Sequence, residues 1–215
     1  VNCTGYPKEG QYTTARDVCT LCCEVAKQPK YNEYSSVWID KLTHPGGRVT
    51  DLTNTNRLVR FYQGCDGFKT GSTDAAKYCL AATAEKNGMR LVAIVLGTPV
   101  SQTRFDEARA MLDYGFSLYT SVTLCEPDFY RAPLSVQAGT QPCTVVRNTE
   151  GLTLPLRRDH GAVTCTVELP RFVFAPVDNG QVMGRLVFTE HRLDGSAVCL
   201  GSVPILADYA VDKAT

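Results

Sequence analysis

The chain has 215 residues, 44% hydrophobic and 20% charged, with 22 Lys+Arg against 22 Asp+Glu. That length and apolar content suit one large or two small folded domains and exclude a disordered chain. The balanced charge argues against a nucleic-acid binder, which usually carries a basic excess, and no apolar run approaches the roughly 18–20 residues that span a bilayer.

Residues 12–27 (YTTARDVCTLCCEVAK) are predicted helical. Thr13 or Thr14 can cap the helix, and Asp17 sits in its first turn, where carboxylates are favoured. Ala15, Val18, Cys19, Cys22 and Val25 follow the 3.6-residue period, and Gln28-Pro29 ends it. Residues 31–63 have mixed character, with HPGGR as a turn at 44–48. Lys77–Ala84 (KYCLAATA) is strand-like. The turn Glu85-Lys86-Asn87-Gly88 follows, and then Met89–Leu96 (MRLVAIVL), an apolar run suited to a strand buried on both faces. Gly97-Thr98-Pro99 breaks that run. Arg104–Phe116 is predicted amphipathic and helical, with Phe105, Ala108, Met111, Leu112 and Phe116 on one face.

The character changes near residues 117–121. Beyond Tyr119 no helix is predicted, and short apolar strands recur between turn signals, with Asp194-Gly195 as a second hairpin turn. The fold class read here is α+β: a mixed domain over 1–118 and a small all-β sandwich over 119–215.

Ten cysteines are scattered among apolar neighbours and are expected to be small buried hydrophobes. Cys19, Cys22 and Cys23 lack the second pair that a zinc site needs, and His44, His160 and His191 do not supply one, so no metal and no cofactor are expected. The three dispersed histidines support no Ser-His-Asp arrangement. Trp38 reads as a packing residue, Arg16-Asp17 as a helix-start pair, and Asp66-Gly67 as turn formers.

The stretch GCDGFKTGST (64–73) holds the chemistry. Lys69-Thr70-Gly71 matches the KTG motif of serine penicillin-recognising enzymes. Its surroundings, DGFKTGSTDAAKYCLAATAEKNGMRLVAIVLG, with GQYTTARDVCTLC upstream and TRFDEARAMLDYGF and VELPRFVFAPVDNGQVMGRLVF downstream, resemble the low-molecular-mass D-alanyl-D-alanine carboxypeptidases of peptidase family S11. The likeness runs in order over essentially the whole chain. It implies the C-terminal part of a β-lactamase/transpeptidase-like catalytic domain, followed by the family's β-rich domain.

In that family the KTG strand edges the cleft, and a peptide substrate pairs along it. The resemblance casts Lys69 and Thr70 as a charge and a hydroxyl for the substrate's terminal carboxylate or that of a β-lactam. Gly71 then allows close approach of the ligand, and Ser72 supplies its backbone N–H to the oxyanion hole. Arg104 falls where the family binds the carboxylate with an arginine, a task suited to its bidentate geometry; the other reading is a solvated helix-face arginine.

Two motifs of the family do not occur in these 215 residues. No serine is followed at +3 by Lys (S-x-x-K) or at +2 by Asn (S-x-N). The resemblance places both upstream, so the chain is read as the part following S-x-N, not active alone. Its expected partners are peptidoglycan stem peptide, β-lactam antibiotics, and the N-terminal remainder of the same protein or a partner chain covering the exposed surface; nucleic acid is not among them. A membrane anchor is expected only in the full-length parent, on the outer, extracytoplasmic face of the bacterial cytoplasmic membrane. Two other readings stand beside this one: a non-catalytic cell-wall binding or scaffolding module, and a relative acting on β-lactams or esters, against which the C-terminal β domain argues.

Overall fold

In the computed structural model, which describes residues 2–215, the chain falls into two compact units, one ending at Tyr119 and the other running Thr120–Thr215. The first opens with helix α1 (Ala15–Ala26). Thr14 caps it, its hydroxyl accepting from the Asp17 N–H at 3.1 Å. Pro29 does more than end α1: it is the first residue of a second helix, α2 (Pro29–Ser35), where its missing N–H costs nothing. The HPGGR segment joins strands β1 (Ile39–Thr43) and β2 (Val49–Thr53) in an antiparallel hairpin. A single turn of helix, α3 (Leu58–Phe61), precedes the main sheet of this unit.

That sheet has three antiparallel strands in the order β3 (Cys65–Thr73), β4 (Lys77–Lys86) and β5 (Met89–Thr98). The β4–β5 turn carries Asn87 and Gly88 at φ 51° and 72°, the left-handed pair that a tight hairpin requires. Helix α4 (Thr103–Leu118) follows. Both faces of β4 and β5 are covered. Leu80, Ala82, Ala84, Ala93 and Val95 cluster with Phe105, Ala108 and Leu112 of α4. The alternate residues Ala81 and Ile94 cluster with Val18, Cys19, Cys22 and Val25 of α1. Cross-strand partners share a face throughout: Leu80 opposes Val95, and Ala81 opposes Ile94. This period-2 division is why Met89–Leu96 reads as continuously apolar.

Three expectations change here. Gly97 does not break β5. It sits inside the strand at φ 74°, where the register shifts between Tyr78 and Leu80, so it accommodates a bulge. Met111 lies off the packed stripe of α4 and is 48% exposed. Asp66 and Gly67 are strand residues of β3, and the Asp66 carboxylate accepts from Arg90 at 2.8 Å.

The second unit is all β. Strands β6 (Tyr119–Cys125) and β9 (Leu152–Arg157) form one pair. The other six are β7 (Arg131–Gln137), β8 (Cys143–Arg147), β10 (Ala162–Glu168), β11 (Phe172–Phe174), β12 (Val182–His191) and β13 (Ala197–Ala207). They form a sheet in the order β10-β12-β13-β8-β7-β11, antiparallel except where β11 meets β7. Its core holds Leu134, Val146, Leu186, Phe188, Val203 and Ile205. The Asp194-Gly195 turn closes the β12–β13 hairpin, with Gly195 at φ 83°.

The cysteines depart most from expectation. All ten are free thiols, but only Cys65 and Cys125 are buried; Cys3, Cys23, Cys165 and Cys199 are exposed. Apolar sequence neighbours do not say which way a thiol points, because successive strand residues face opposite sides.

Candidate active-site wall at the KTG strand

The four predicted motif residues stand in a row on β3, the outermost strand of its sheet. An edge strand leaves half of its backbone N–H and C=O groups facing outward. The first half of this edge is covered by side chains. Ser35 Oγ donates to the Asp66 carbonyl at 2.6 Å, and Asn56 Nδ2 donates to the Gly67 carbonyl at 2.9 Å. Asn56 is fully buried, and its Oδ1 accepts from the Leu58 N–H at 3.1 Å. Asn54 Nδ2 in turn donates to the carbonyls of Ser35 and Val37 at 2.9 and 3.0 Å. Thus the segment 54–56 clamps the start of β3, and sequence reading had assigned it no element. Its signal was the N-T-N tripeptide, because Asn side chains in loops bond nearby backbone.

From Lys69 onward the strand is more open. Lys69 and Ser72 are exposed, and a Cβ placed on Gly71 would meet nothing within 4 Å. The Lys69 ammonium folds back onto the carbonyl of Thr70. Thr70 is turned inward, 7% exposed, with its hydroxyl 2.7 Å from that of Thr55. Beyond the motif, Ser72, Thr73, Asp74, Lys77, Tyr78 and Pro99 line a hollow of about 320 Å³.

Arg104 is brought to the same place from the first turn of α4. Its Nη1 donates to the carbonyl oxygens of Gly71 (3.2 Å) and Cys79 (3.3 Å), and Nη2 donates to Ser101 Oγ at 3.2 Å. The guanidinium lies 4.8 Å from the Phe105 ring centroid and 5.4 Å from that of Tyr78, within cation–π range. At 8% exposure it is not the solvated helix-face arginine of the alternative reading. Its Nε is buried without a partner. Burial lowers its pKa from the ordinary arginine value, and the nearby Arg57 adds to that. A guanidinium stays protonated at any ordinary pH, so the region carries a fixed, under-compensated positive charge.

No group of three or more His, Cys, Asp or Glu side chains that could hold a metal ion occurs among the described residues. Nor is any helix there long and apolar enough to cross a membrane.

Residues 1–100 match the profile of the D-alanyl-D-alanine carboxypeptidase family. The D-alanyl-D-alanine carboxypeptidase DacF of Bacillus subtilis (strain 168) is 32% identical over 215 residues, covering 99% of this chain and 54% of that protein. The likeness to this carboxypeptidase family thus runs along nearly the whole chain. The Escherichia coli (strain K12) member DacC is 28% identical, over 90% of this chain and 48% of its own length. Among solved structures, penicillin binding protein 5 from Haemophilus influenzae superposes with a TM-score of 0.71 at 25% identity, covering 97% of this chain and 59% of that one. The fold is therefore that of the low-molecular-mass penicillin-binding proteins. The chain spans about half the length of the curated relatives it matches.

Proposed function

We propose that this chain is the KTG-bearing wall of a serine-type D-Ala-D-Ala carboxypeptidase. The full-length protein removes the terminal D-alanine from peptidoglycan stem pentapeptides, and it is acylated by penicillin. The nucleophilic serine and its activating lysine come from a segment outside these 215 residues. That serine attacks the carbonyl carbon of the penultimate D-alanine, the peptide bond to the last D-alanine breaks, and D-alanine leaves. Water then hydrolyses the acyl-enzyme and restores the serine.

The observation that carries this reading is the edge position of Lys69–Ser72 with open space at Gly71 and Arg104 locked behind it. A peptide laid along the open edge can pair with backbone groups, as in strand addition. Lys69 and Arg104 make the site favourable for a terminal carboxylate. The Ser72 N–H serves as one oxyanion-hole donor, worth on the order of 10²–10³ in rate. The chain alone is inactive, since it offers donors and charge without a nucleophile. The full-length protein works on the outer, extracytoplasmic face of the cytoplasmic membrane, where its substrate lies.

Fluorescent penicillin tests the reading. Covalent labelling of the full-length gene product, and none of residues 1–215 alone, is the expected result. A full-length product that takes no label would sink the enzymatic reading in favour of a non-catalytic cell-wall binding module.

A further inference from the structure

Away from the motif strand, α3 and the first half of α4 border a hollow of about 450 Å³, lined by Arg57, Leu58, Phe61, Gln102, Phe105 and Arg109. No residue of β3 lines it, and neither does Arg104. Leu58 and Phe105 belong to the buried core of the unit, whereas Phe61 is 62% exposed.

Both arginines are held by neutral oxygens. Arg57 Nη1 donates to Gln102 Oε1 at 3.4 Å. Arg109 Nη2 donates to the Phe61 carbonyl at 3.2 Å, and its guanidinium lies 5.9 Å from the Tyr62 ring centroid. A guanidinium has five N–H donors, so most of them remain for an outside acceptor. Among the described residues no ion pair engages either arginine. The α4 carboxylates one turn to either side of Arg109 are taken by neutral donors. Asp106 accepts from Gln102 Nε2 at 3.0 Å, and Asp113 accepts from the Tyr62 hydroxyl at 2.7 Å.

The helix adds to this charge. Gln102 is the N-cap residue of α4 and makes no side-chain cap bond. The amides of Phe105 and Asp106 donate to the Gln102 carbonyl at 2.9 and 3.2 Å. The N–H groups of Thr103 and Arg104 precede them, at the positive end of a 16-residue helix. Two uncompensated guanidiniums on one hollow repel each other, and an anion between them relieves that repulsion. Two forks beside a helix N-terminus suit an anion with several acceptor oxygens, a phosphoryl group rather than a single carboxylate. The exposed Phe61 ring offers an apolar surface to whatever group the phosphate carries.

We propose that the α3–α4 hollow is a second anion site, which takes the phosphoryl group of a phosphate ester between Arg57 and Arg109 and lays the ester's organic group against Phe61. A soluble phosphate ester and a phospholipid headgroup share this chemistry. The site uses no motif residue, so it stands apart from the carboxypeptidase reading above.

The test uses the full-length gene product and phenyl phosphate, followed by titration calorimetry. Saturable one-to-one binding is expected. Arg57→Gln/Arg109→Gln is expected to weaken it about tenfold or more, the effect of losing charge-assisted hydrogen bonds. Arg57→Lys/Arg109→Lys keeps both charges without the forks and is expected to fall between the two. Raising the salt from about 0.05 M to about 0.5 M should weaken binding to wild type several-fold. Melting temperatures check that the variants fold; if the double variant does not, Arg109→Gln alone carries the test, with a loss of about threefold or more expected. A short-chain phosphatidylglycerol below its micelle concentration separates the two sources. Tighter binding of this lipid than of phenyl phosphate assigns the headgroup, and the reverse order assigns a soluble ester. Binding of both that is unchanged in a folded Arg57→Gln/Arg109→Gln variant overturns the proposal. So does phenol bound as tightly as phenyl phosphate, or a wild type that binds neither phosphate.

Discussion

Arg104 donates to the carbonyl oxygen of Gly71 across 3.2 Å, tying the first turn of α4 to the centre of the KTG strand. The two residues are 33 positions apart, and the contact makes the helix a brace for the edge strand. Arg104→Met keeps much of the volume and removes the donors. It is expected to lower the stability of this chain by about 2 kcal/mol, because the Gly71 and Cys79 carbonyls lose a charged donor. Urea denaturation measures it. An unchanged midpoint would mean that the contact contributes nothing to the fold.

Asn56 should be the more sensitive position. It is fully buried and serves both the Gly67 carbonyl and the Leu58 N–H. Asn56→Ala leaves both groups without that partner, at an expected cost of about 2–3 kcal/mol. Asn56→Asp keeps the acceptor for Leu58 but turns an oxygen toward the Gly67 carbonyl, so it should be at least as damaging at neutral pH. If Asp proves as stable as Asn, the Gly67 contact is not made.

Cys65 predicts a loss of stability at alkaline pH. Burial pushes its thiol up from the ordinary 9.0 to about 11. The native state then holds the proton more tightly than the unfolded chain does. The stability from this group is complete below pH 9.0, declines as pH rises, and is gone by about pH 11, a change of about 3 kcal/mol. Other groups titrate in the same range, so the measurement is the difference between wild type and Cys65→Ala in denaturation midpoints from pH 8 to 11. Parallel curves would contradict the assignment.

Thiol reactivity should sort the cysteines by position. Cys65 and Cys125, at 8% and 3% exposure, are expected to react with a disulfide reagent only on unfolding. Cys3, Cys23, Cys165 and Cys199 should react within the dead time of manual mixing, and the four half-buried thiols should follow. Mass spectrometry after pulse alkylation assigns each site. Fast labelling of Cys125 would place it outside the core of the second unit.

Residues 120–215 should fold when expressed alone, since Leu134, Val146, Leu186, Phe188 and Ile205 form a core within that unit. A cooperative melt with a β-type circular dichroism spectrum is the expected result. A broad, non-cooperative transition would show that the unit depends on the rest of the chain.

Much of the local architecture is legible in the sequence. Thr14 and Asp17 announced the start of α1, Asn87-Gly88 the β4–β5 turn, and the loss of helical periodicity after Tyr119 the all-β half. These signals are local: a cap, a turn dipeptide and a repeat period each depend on neighbours in sequence. Lys69-Thr70-Gly71 was likewise legible as a motif, because three adjacent residues need no fold to be recognised. The strand's clamp was not. Asn54, Thr55 and Asn56 look like an ordinary polar loop until β3 is placed beside them.

What the sequence by itself determined is therefore the elements, their order, the two-part division and the family motif. The tertiary structure alone decided that Arg104 is buried against β3 rather than solvated, that the Thr70 hydroxyl is paired with Thr55, and that most of the cysteines are not core residues. The reason is physical. Burial and hydrogen-bond partnership are set by contacts across 15 to 33 residues of chain here, and nothing in a residue's own neighbourhood specifies which distant backbone it will meet.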